Sequence, residues 1–319
     1  GWYHRSSGLV TYQIIKATMH IFSLKSFFIA IGSLFSVCSL MAQQEPSMTL
    51  YRYHMNVINP AVVGVNGESW INATLRRQWT DIPDAPETAA VSLGLPMGNK
   101  LGMGLSVIQD KMFVEKQTGV FVDFSYRVQL SEASNLYFGL KAGGTNFSIN
   151  ASGLETYNVM MDPSLSDISQ FNPNIGVGAY FTAMQFYFSL SSPRLLTADS
   201  AGGQDGTATV MASRAHVYAS SGYDFQLSDH VVLSPSFLMR YVKGAPVSMD
   251  LFSTLTFFDA FSVGGSYRTD QAYAGVLALK VAQRFTIGYA YESALRGKLA
   301  SSTGHTHELV LRYVLSKRD

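Results

Sequence analysis

The feature that most constrains this chain is an alternation of apolar and polar residues with a period of two. In the segment 120–130, apolar residues occupy the even positions and mostly polar residues occupy the odd ones. A period of two is that of a β-strand, in which successive side chains point to opposite faces. Further segments of this kind run through 136–143, 247–257, 284–292 and 308–316. The chain is therefore predicted to be all-β.

The alternation does not say what the apolar face contacts. In a soluble sandwich that face forms the core, whereas in a membrane barrel it contacts lipid and the polar face lines the lumen. Two features of the segments favour the barrel: many are about ten residues or longer, as tilted spanning strands require, and their second faces hold glycine and opposite charges. Aromatic residues also recur near segment ends, where an aromatic girdle lies in such barrels. They are Tyr126, Tyr180, Phe181, Tyr223, Phe258, Tyr289 and Tyr313.

The charge content agrees with a lipid-facing surface. Charged residues make up 14% of the 319 residues, whereas soluble domains contain about 25%. The formal net charge of +1 provides no strong field that would attract nucleic acid, so no nucleic-acid partner is expected. A soluble secreted β-protein with a similarly high content of aromatic residues remains an alternative.

Turn lengths differ along the chain. The segments 131–135, 227–230 and 244–246 read as short turns, whereas 151–170 and 192–208 read as long, solvated loops rich in Asp, Ser, Gly and Pro. Bacterial membrane barrels have short periplasmic turns and longer outer loops. The segments together predict an antiparallel transmembrane β-barrel of about 14 strands, an even number being usual for this class.

The region before the alternating segments has the layout of a secretory signal peptide. From Met19 it offers a positive residue, Lys25, and then an apolar stretch from Phe27 to Leu40, with cleavage predicted after Ala42. The stretch is too short for a membrane-spanning helix. Lipidation of Cys38 is a competing interpretation, although the residues before it fit a lipid signal poorly.

These boundaries predict three parts of the chain. Residues 1–18 form an upstream extension, residues 19–42 the signal peptide, and residues 43–319 an outer-membrane barrel with a short N-terminal arm. Because Cys38 is the only cysteine, the exported chain would have no disulfide and no thiolate metal site.

No combination of residues indicates catalysis. His305 and His307 share one strand face, but no third metal ligand occurs at a telling spacing. Asp81 and Asp84 flank Ile82–Pro83, where Asp is favoured for turn hydrogen bonds. The sequence has no serine elbow and no phosphate-binding loop. We therefore expect no enzymatic activity, no cofactor and no metal.

An ordered series of short motifs resembles the PorP/SprF family of type IX secretion outer-membrane proteins. The series begins with INPA at 58–61, RRQW at 76–79 and APET at 85–88. It continues with GMGLSVI followed by DK in 102–111, FSYRVQL at 124–130, and the segments 136–143, 171–178 and 307–309. The likeness spans the chain after the signal peptide. Asp84 departs from the glycine that usually precedes Ala-Pro, and the chain does not end on an aromatic residue.

The resemblance implies a function and a set of motif residues. It implies a non-enzymatic outer-membrane barrel that binds a secreted surface protein through a C-terminal sorting domain and links it to periplasmic type IX components. The long loops would grip the exported domain, while the arm and the short turns would face periplasmic partners. A solute-transport barrel is the alternative. The motif residues, structural or partner-binding, are Asn59, Pro60, Arg77, Trp79, Pro86, Asp110, Lys111 and Arg127.

Two expectations concern the lumen. The aromatic-rich arm from Tyr51 to His54 precedes the turn-forming pair Asn59–Pro60 and is expected to fold into or across the lumen as a plug. In one interpretation, Arg76 on the first long strand forms ion pairs with polar residues of the second faces. We favour the alternative, in which these residues only help the barrel to close.

Overall fold

The computed structural model describes residues 48–79, 84–149, 168–196, 215–269, 272–295 and 305–317. The predicted extension, signal peptide and Cys38 lie outside these residues, as does most of each predicted long loop. In the described part of the chain, no helix is both long enough and apolar enough to cross a membrane.

The described chain forms a closed wall of antiparallel strands. The strands are β1 (Glu68–Gln78), β2 (Glu87–Met97), β3 (Leu101–Met112), β4 (Glu115–Gln129), β5 (Ser134–Ile149), β6 (Ile168–Ala183), β7 (Phe186–Arg194), β8 (His216–Tyr223), β9 (Phe225–Ser228), β10 (Val231–Val242), β11 (Ser248–Phe257), β12 (Phe261–Arg268), β13 (Ala272–Val281), β14 (Phe285–Ala294) and β15 (His305–Lys317). Strands β8 and β9 both pair with β10 and act as one interrupted strand of the wall. Pairing of β1 with β15 closes the ring. The fifteen described strands, with β8 and β9 taken as one, thus make the fourteen-stranded barrel that the sequence predicted.

The apolar face of the strands points outward. Phe124 is 51% exposed, whereas its neighbour Asp123 is completely buried in the lumen. The same parity exposes Leu140 and buries Lys141. Soluble monomers rarely expose so much contiguous apolar surface, so the outer face is the lipid-contacting face of a membrane barrel.

One predicted girdle residue lies on the other face. Tyr180 points into the lumen and stacks on Tyr187, with 5.7 Å between ring centroids. The prediction for Tyr180 is wrong because strand parity allows only one of two consecutive residues, Tyr180 or Phe181, to face outward. Tyr126, Phe258 and Tyr313 are exposed, as expected of outer-face residues.

The two ends of the barrel differ in their connections. At one end, the short-turn rim, all six hairpin links have two to four residues: 98–100, 130–133, 184–185, 229–230, 258–260 and 282–284. The opposite end, the long-loop rim, carries three short links, 113–114, 243–247 and 269–271, and four longer ones, 79–86, 150–167, 195–215 and 295–304. Bacterial barrels have short periplasmic turns and longer extracellular loops, which favours the long-loop rim as the outer one. The turn at 244–246 was grouped with the short periplasmic turns because of its length. It lies at the long-loop rim, because it follows β10, which runs from the short-turn rim to the long-loop rim.

Candidate functional site

Residues 48–67, the arm, lie inside the lumen. The arm contains a 3-10 turn (Tyr51–Tyr53), a four-residue helix α1 (Met55–Ile58) and two further 3-10 turns (Pro60–Val62 and Val65–Gly67). Leu50, His54 and Asn59 are at most 2% exposed. The arm ends at the short-turn rim, where β1 begins. The structure therefore places the aromatic-rich segment in the lumen, which is one of the two interpretations that the sequence allowed.

The first residues of the arm bind a carboxylate of the wall. The backbone N–H groups of Thr49 and Leu50 each donate to the Glu308 carboxylate at 2.8 Å. The Thr49 hydroxyl donates to Glu292 at 2.7 Å. These contacts join the arm to β14 and β15, on the half of the lumen nearer the long-loop rim.

Arg76 neutralises both carboxylates. Its guanidinium lies 2.9 Å from Glu308 and 2.8 Å from Glu292, and it also donates to the Thr49 hydroxyl at 3.1 Å. The side chains of Arg76 and Glu308 are 2% and 1% exposed. Charges buried this deeply require partners, because each has lost its hydration. Arg76 thus holds together the site that receives the start of the arm.

Further charged side chains extend this cluster around the wall. Arg268 contacts Asp250 at 2.8 Å and Glu292 at 3.3 Å, and Arg240 contacts Asp250 at 3.3 Å. Together with Arg76 and Glu308, these residues make three guanidiniums and three carboxylates. The lumenal cluster is therefore electrically balanced.

The middle of the arm contacts opposite sides of the wall. The Tyr51 hydroxyl donates to Ser236 at 3.1 Å, and its ring packs edge-on against Phe252 at 6.3 Å. Across the lumen, Lys141 donates to the carbonyl of Asn56 at 3.0 Å and forms a buried ion pair with Asp123 at 2.6 Å. The arm therefore bridges the lumen between β10–β11 and β4–β5.

The Asn59–Pro60 pair forms a turn that is bonded to the wall. The Asn59 amide donates to the carbonyl of Ala179 at 3.0 Å and to the Ser189 hydroxyl at 2.8 Å. Its carbonyl oxygen accepts from the backbone N–H of Ala61 at 2.9 Å. Pro60 occupies the first position of the 3-10 turn, where a proline loses no hydrogen bond. One side chain thus caps the turn and attaches it to β6 and β7.

Two glycines of the wall make room for this turn. A Cβ atom at Gly139 would overlap the backbone of Pro60 and Ala61, and one at Gly178 would overlap the Asn59 side chain. Close approach of two backbones is a common reason for glycine inside a strand. The spacing between arm and wall therefore depends on these positions.

Asn59→Ala is expected to lower the free energy of unfolding by about 1–3 kcal/mol, because buried groups of the wall and turn lose their partner. Urea unfolding of the folded protein in phospholipid vesicles measures the change. Asn146→Ala is the matched control, since Asn146 is exposed on β5. Equal stability of both variants would contradict the role of Asn59.

The remaining motif residues on the first hairpin do not join this site. Arg77 is exposed on the outer face of β1. Trp79, predicted on that strand, lies just beyond its end with a φ of 47°, a left-handed conformation that interrupts the strand. The carbonyl of Pro86 accepts from the backbone N–H of Gln78 at 2.9 Å and so helps to close the hairpin.

The other motif residues lie on β3 and β4. Asp110 points inward near the long-loop rim, and Lys111 is exposed on the outer face. Arg127 is partly buried near the short-turn rim, where its backbone N–H donates to Lys100 at 2.7 Å. Of the eight predicted residues, the structure brings only Asn59 and Pro60 into the arm site.

The two other chemical candidates lie at the long-loop rim. His305 and His307 face outward, where each ring bonds a tyrosine hydroxyl: Tyr291 at 2.7 Å and Tyr289 at 2.6 Å. Asp84 has a φ of 54° and its carbonyl accepts from Phe113 at 3.1 Å, as a turn residue does. Asp81 lies outside the described residues.

The alternation predicted which face Asp123 and Lys141 share, but it did not identify their pairing with each other, nor Glu292 and Glu308 as the partners of Arg76. One signal for them existed. Each is a charged residue at an inward position of an otherwise alternating strand. Such a residue must be paired in the lumen, but parity does not say with which residue.

Solved outer-membrane barrels resemble this chain in outline. The Omp33 protein of Acinetobacter baumannii is 10% identical to this chain; the match covers 78% of this chain and 100% of Omp33, with a TM-score of 0.46. A FadL homologue of Pseudomonas aeruginosa is 12% identical; the match covers 81% of this chain and 93% of the homologue, with a TM-score of 0.48. The fold of this chain is established by its own strand pairing. A comparison with curated proteins gave no match.

A family model supplies what these structures do not. The model described as "Type IX secretion system membrane protein PorP/SprF" matches residues 40–313. The match covers the arm and nearly the whole barrel, and it agrees with the ordered motifs from Asn59 to Glu308. The chain therefore belongs to the PorP/SprF family of type IX secretion system membrane proteins.

Proposed function

We propose that this protein is a non-enzymatic anchor in the outer membrane, reached after cleavage of the signal peptide following Ala42. It binds a secreted surface protein through that protein's C-terminal sorting domain and links it to periplasmic secretion components. The observation that carries the proposal is the arm docked inside the lumen of a type IX secretion family barrel. An occupied lumen suits a barrel that holds a partner at its rim better than one that conducts solutes.

The distribution of the arm's contacts supports this role. Polar contacts run from the arm to strands on all sides of the wall: β1, β2, β4, β5, β6, β7, β10, β14 and β15. Many of these contacts are buried, so the arm shares the rigidity of the wall. In the proposed anchor, the long-loop rim holds the exported domain, and the short-turn rim faces the periplasmic components.

The described residues offer little for chemistry. They contain no group of three or more His, Cys, Asp or Glu residues that could hold a metal ion. The charged groups in the lumen are paired with one another and with the arm. We propose that these groups hold the arm in place and that the protein works without a cofactor.

A pull-down tests the anchor. The protein, tagged at its C-terminus, is recovered from detergent-solubilised outer membranes, and its partners are identified by mass spectrometry. We expect a large surface protein with a C-terminal sorting domain, together with periplasmic ring components. A variant in which residues 151–167 are replaced by a Gly/Ser segment of equal length should lose the surface protein and keep the periplasmic components.

The matched control changes the opposite rim. Replacing the turn residues 131–133 by Gly/Ser should leave the surface protein bound. Recovery of the barrel alone, combined with flux of small solutes into liposomes that contain it, would contradict the anchor and favour a solute-transport barrel.

A further inference from the structure

A row of outward side chains crosses four strand pairings near the long-loop rim. The strand register places Arg77 opposite both His307 and Glu87, and Glu87 opposite Lys111, which in turn faces Lys116. All five side chains point away from the lumen, and Arg77, Lys111 and Lys116 are exposed. We name this set the basic row. It contains three permanent cations and one histidine against a single carboxylate.

The cations of the basic row are available for a ligand. In the part of the chain that the structure describes, no ion pair involves Arg77, Lys111 or Lys116. This contrasts with the lumen, where the three arginines of the lumenal cluster and Lys141 each contact a carboxylate. Cations on an outer face that form no ion pair with a carboxylate attract anions from the surroundings.

An apolar groove lies directly beneath the basic row, on the four strands β15, β1, β2 and β3. Its volume is about 320 Å³. Ala73 and Ala89 form its floor, because their short side chains stand among larger ones. The walls are the apolar side chains of Leu75, Val91, Val107, Leu309 and Leu311. The register places Leu75 next to Leu309 and Ala89, one step below the pairing of Arg77 with His307.

The depth of the two features indicates what they would meet in a membrane. The basic row marks the edge of the apolar outer band, which continues below it through Leu75 and Leu309. Residues at that edge lie at the level of lipid headgroups. The groove below lies at the level of the acyl chains. A basic group above an apolar groove therefore matches the two halves of one lipid.

We propose that this face binds a lipid with a phosphate on its headgroup. An acyl chain lies in the groove over Ala73 and Ala89, and the phosphate is held by Arg77 and Lys111. A guanidinium can bond two phosphate oxygens at once, and an ammonium adds a compact charge. Since the long-loop rim is the outer one, the lipid belongs to the outer leaflet.

A second copy of the chain fits this face less well. Two barrels in one membrane that share a symmetric interface present the same residues at the same height. Arg77, Lys111 and Lys116 of one copy would then face the same three cations of the other. Like charges brought together destabilise such a contact, whereas a lipid phosphate neutralises them.

The test uses the full barrel purified in an uncharged detergent. Bis-phosphorylated lipid A is titrated in, and the bound lipid is counted by native mass spectrometry. The same lipid A after removal of its phosphates serves as the matched probe. We expect Arg77→Gln with Lys111→Gln to weaken binding of the phosphorylated lipid about 30-fold, from the usual contribution of two surface cations. We expect Ala73→Leu with Ala89→Leu to weaken it about tenfold, because the acyl chain loses roughly two methylene contacts.

The control removes two cations at the opposite rim. Lys100 and Arg284 are exposed there, so Lys100→Gln with Arg284→Gln should bind lipid A as the unchanged protein does. A heat-dependent shift on gel electrophoresis verifies that each variant is folded. Equal binding of both lipid A forms, equal losses in both charge variants, displacement by millimolar inorganic phosphate, or protein dimers in place of bound lipid would each overturn the proposal.

Discussion

Replacing Arg76 with alanine is expected to lower the free energy of unfolding by about 3–5 kcal/mol. The change leaves the carboxylates of Glu292 and Glu308 buried without their guanidinium, 2.8 and 2.9 Å away in the native protein. Because the Glu308 carboxylate also accepts hydrogen bonds from the backbone N–H groups of Thr49 and Leu50, the arm should dock less tightly. Urea unfolding in phospholipid vesicles, followed by tryptophan fluorescence, measures the stability.

The neighbouring arginine is the control for this substitution. Arg77→Ala removes the same group one residue later, from an exposed position on the outer face. Its stability should stay within about 0.5 kcal/mol of the unchanged protein, as is usual for surface positions. A triple variant that also neutralises both carboxylates, by Glu292→Gln and Glu308→Gln, should regain part of the stability lost in Arg76→Ala. If Arg76→Ala were as stable as Arg77→Ala, the buried cluster would not hold the lumen together.

Gly139→Leu is expected to displace the arm and open the lumen. The new side chain would occupy the position of the Pro60–Ala61 backbone. Overpacking of this kind costs about 1–3 kcal/mol, which corresponds to a factor of roughly 5 to 150 in the docking equilibrium. In planar bilayers, channel openings should therefore be more frequent, and their conductance larger, than those of the unchanged barrel.

Gly275→Leu separates this effect from the general effect of a bulky side chain. Gly275 is exposed on the outer face of β13, and a Cβ there would meet nothing within 4 Å. That variant should conduct as the unchanged protein does. Equal conductance of the Gly139 and Gly275 variants would show that the arm does not close the lumen, and it would weaken the proposed anchor in favour of a transport barrel.

Local pattern predicted much of the barrel wall. The alternation in 120–130 and 136–143 determined which residues share a face, because strand periodicity follows from backbone geometry alone. It also placed Asp123 and Lys141 on the face opposite Phe124 and Leu140. The alternation left open whether the apolar face points inward or outward, since that depends on whether the sheet closes on itself and on what surrounds it.

The arm site was only partly predictable. Asn59–Pro60 reads as a turn from sequence because the pair favours that conformation locally. The sequence does not predict how this turn is attached to the wall, because the partners of Asn59, Ala179 and Ser189, are 120 and 130 residues away. Likewise, the sequence left two interpretations of Arg76 open, barrel closure and lumenal ion pairs, because its partners Glu292 and Glu308 lie 216 and 232 residues further along the chain. Contacts of that range depend on the register of every hairpin between them.

The sequence by itself determined the strands, their two faces, the approximate strand number and the family, because each depends on the order of residues within a segment or on an ordered series of motifs. Only the tertiary structure decided that the apolar face is the outer one, and that the arm runs through the lumen against glycines. It also brought five outward residues from distant strands into the basic row. The physical reason is closure: pairing β1 with β15 sets which distant residues meet, and no local pattern contains that information.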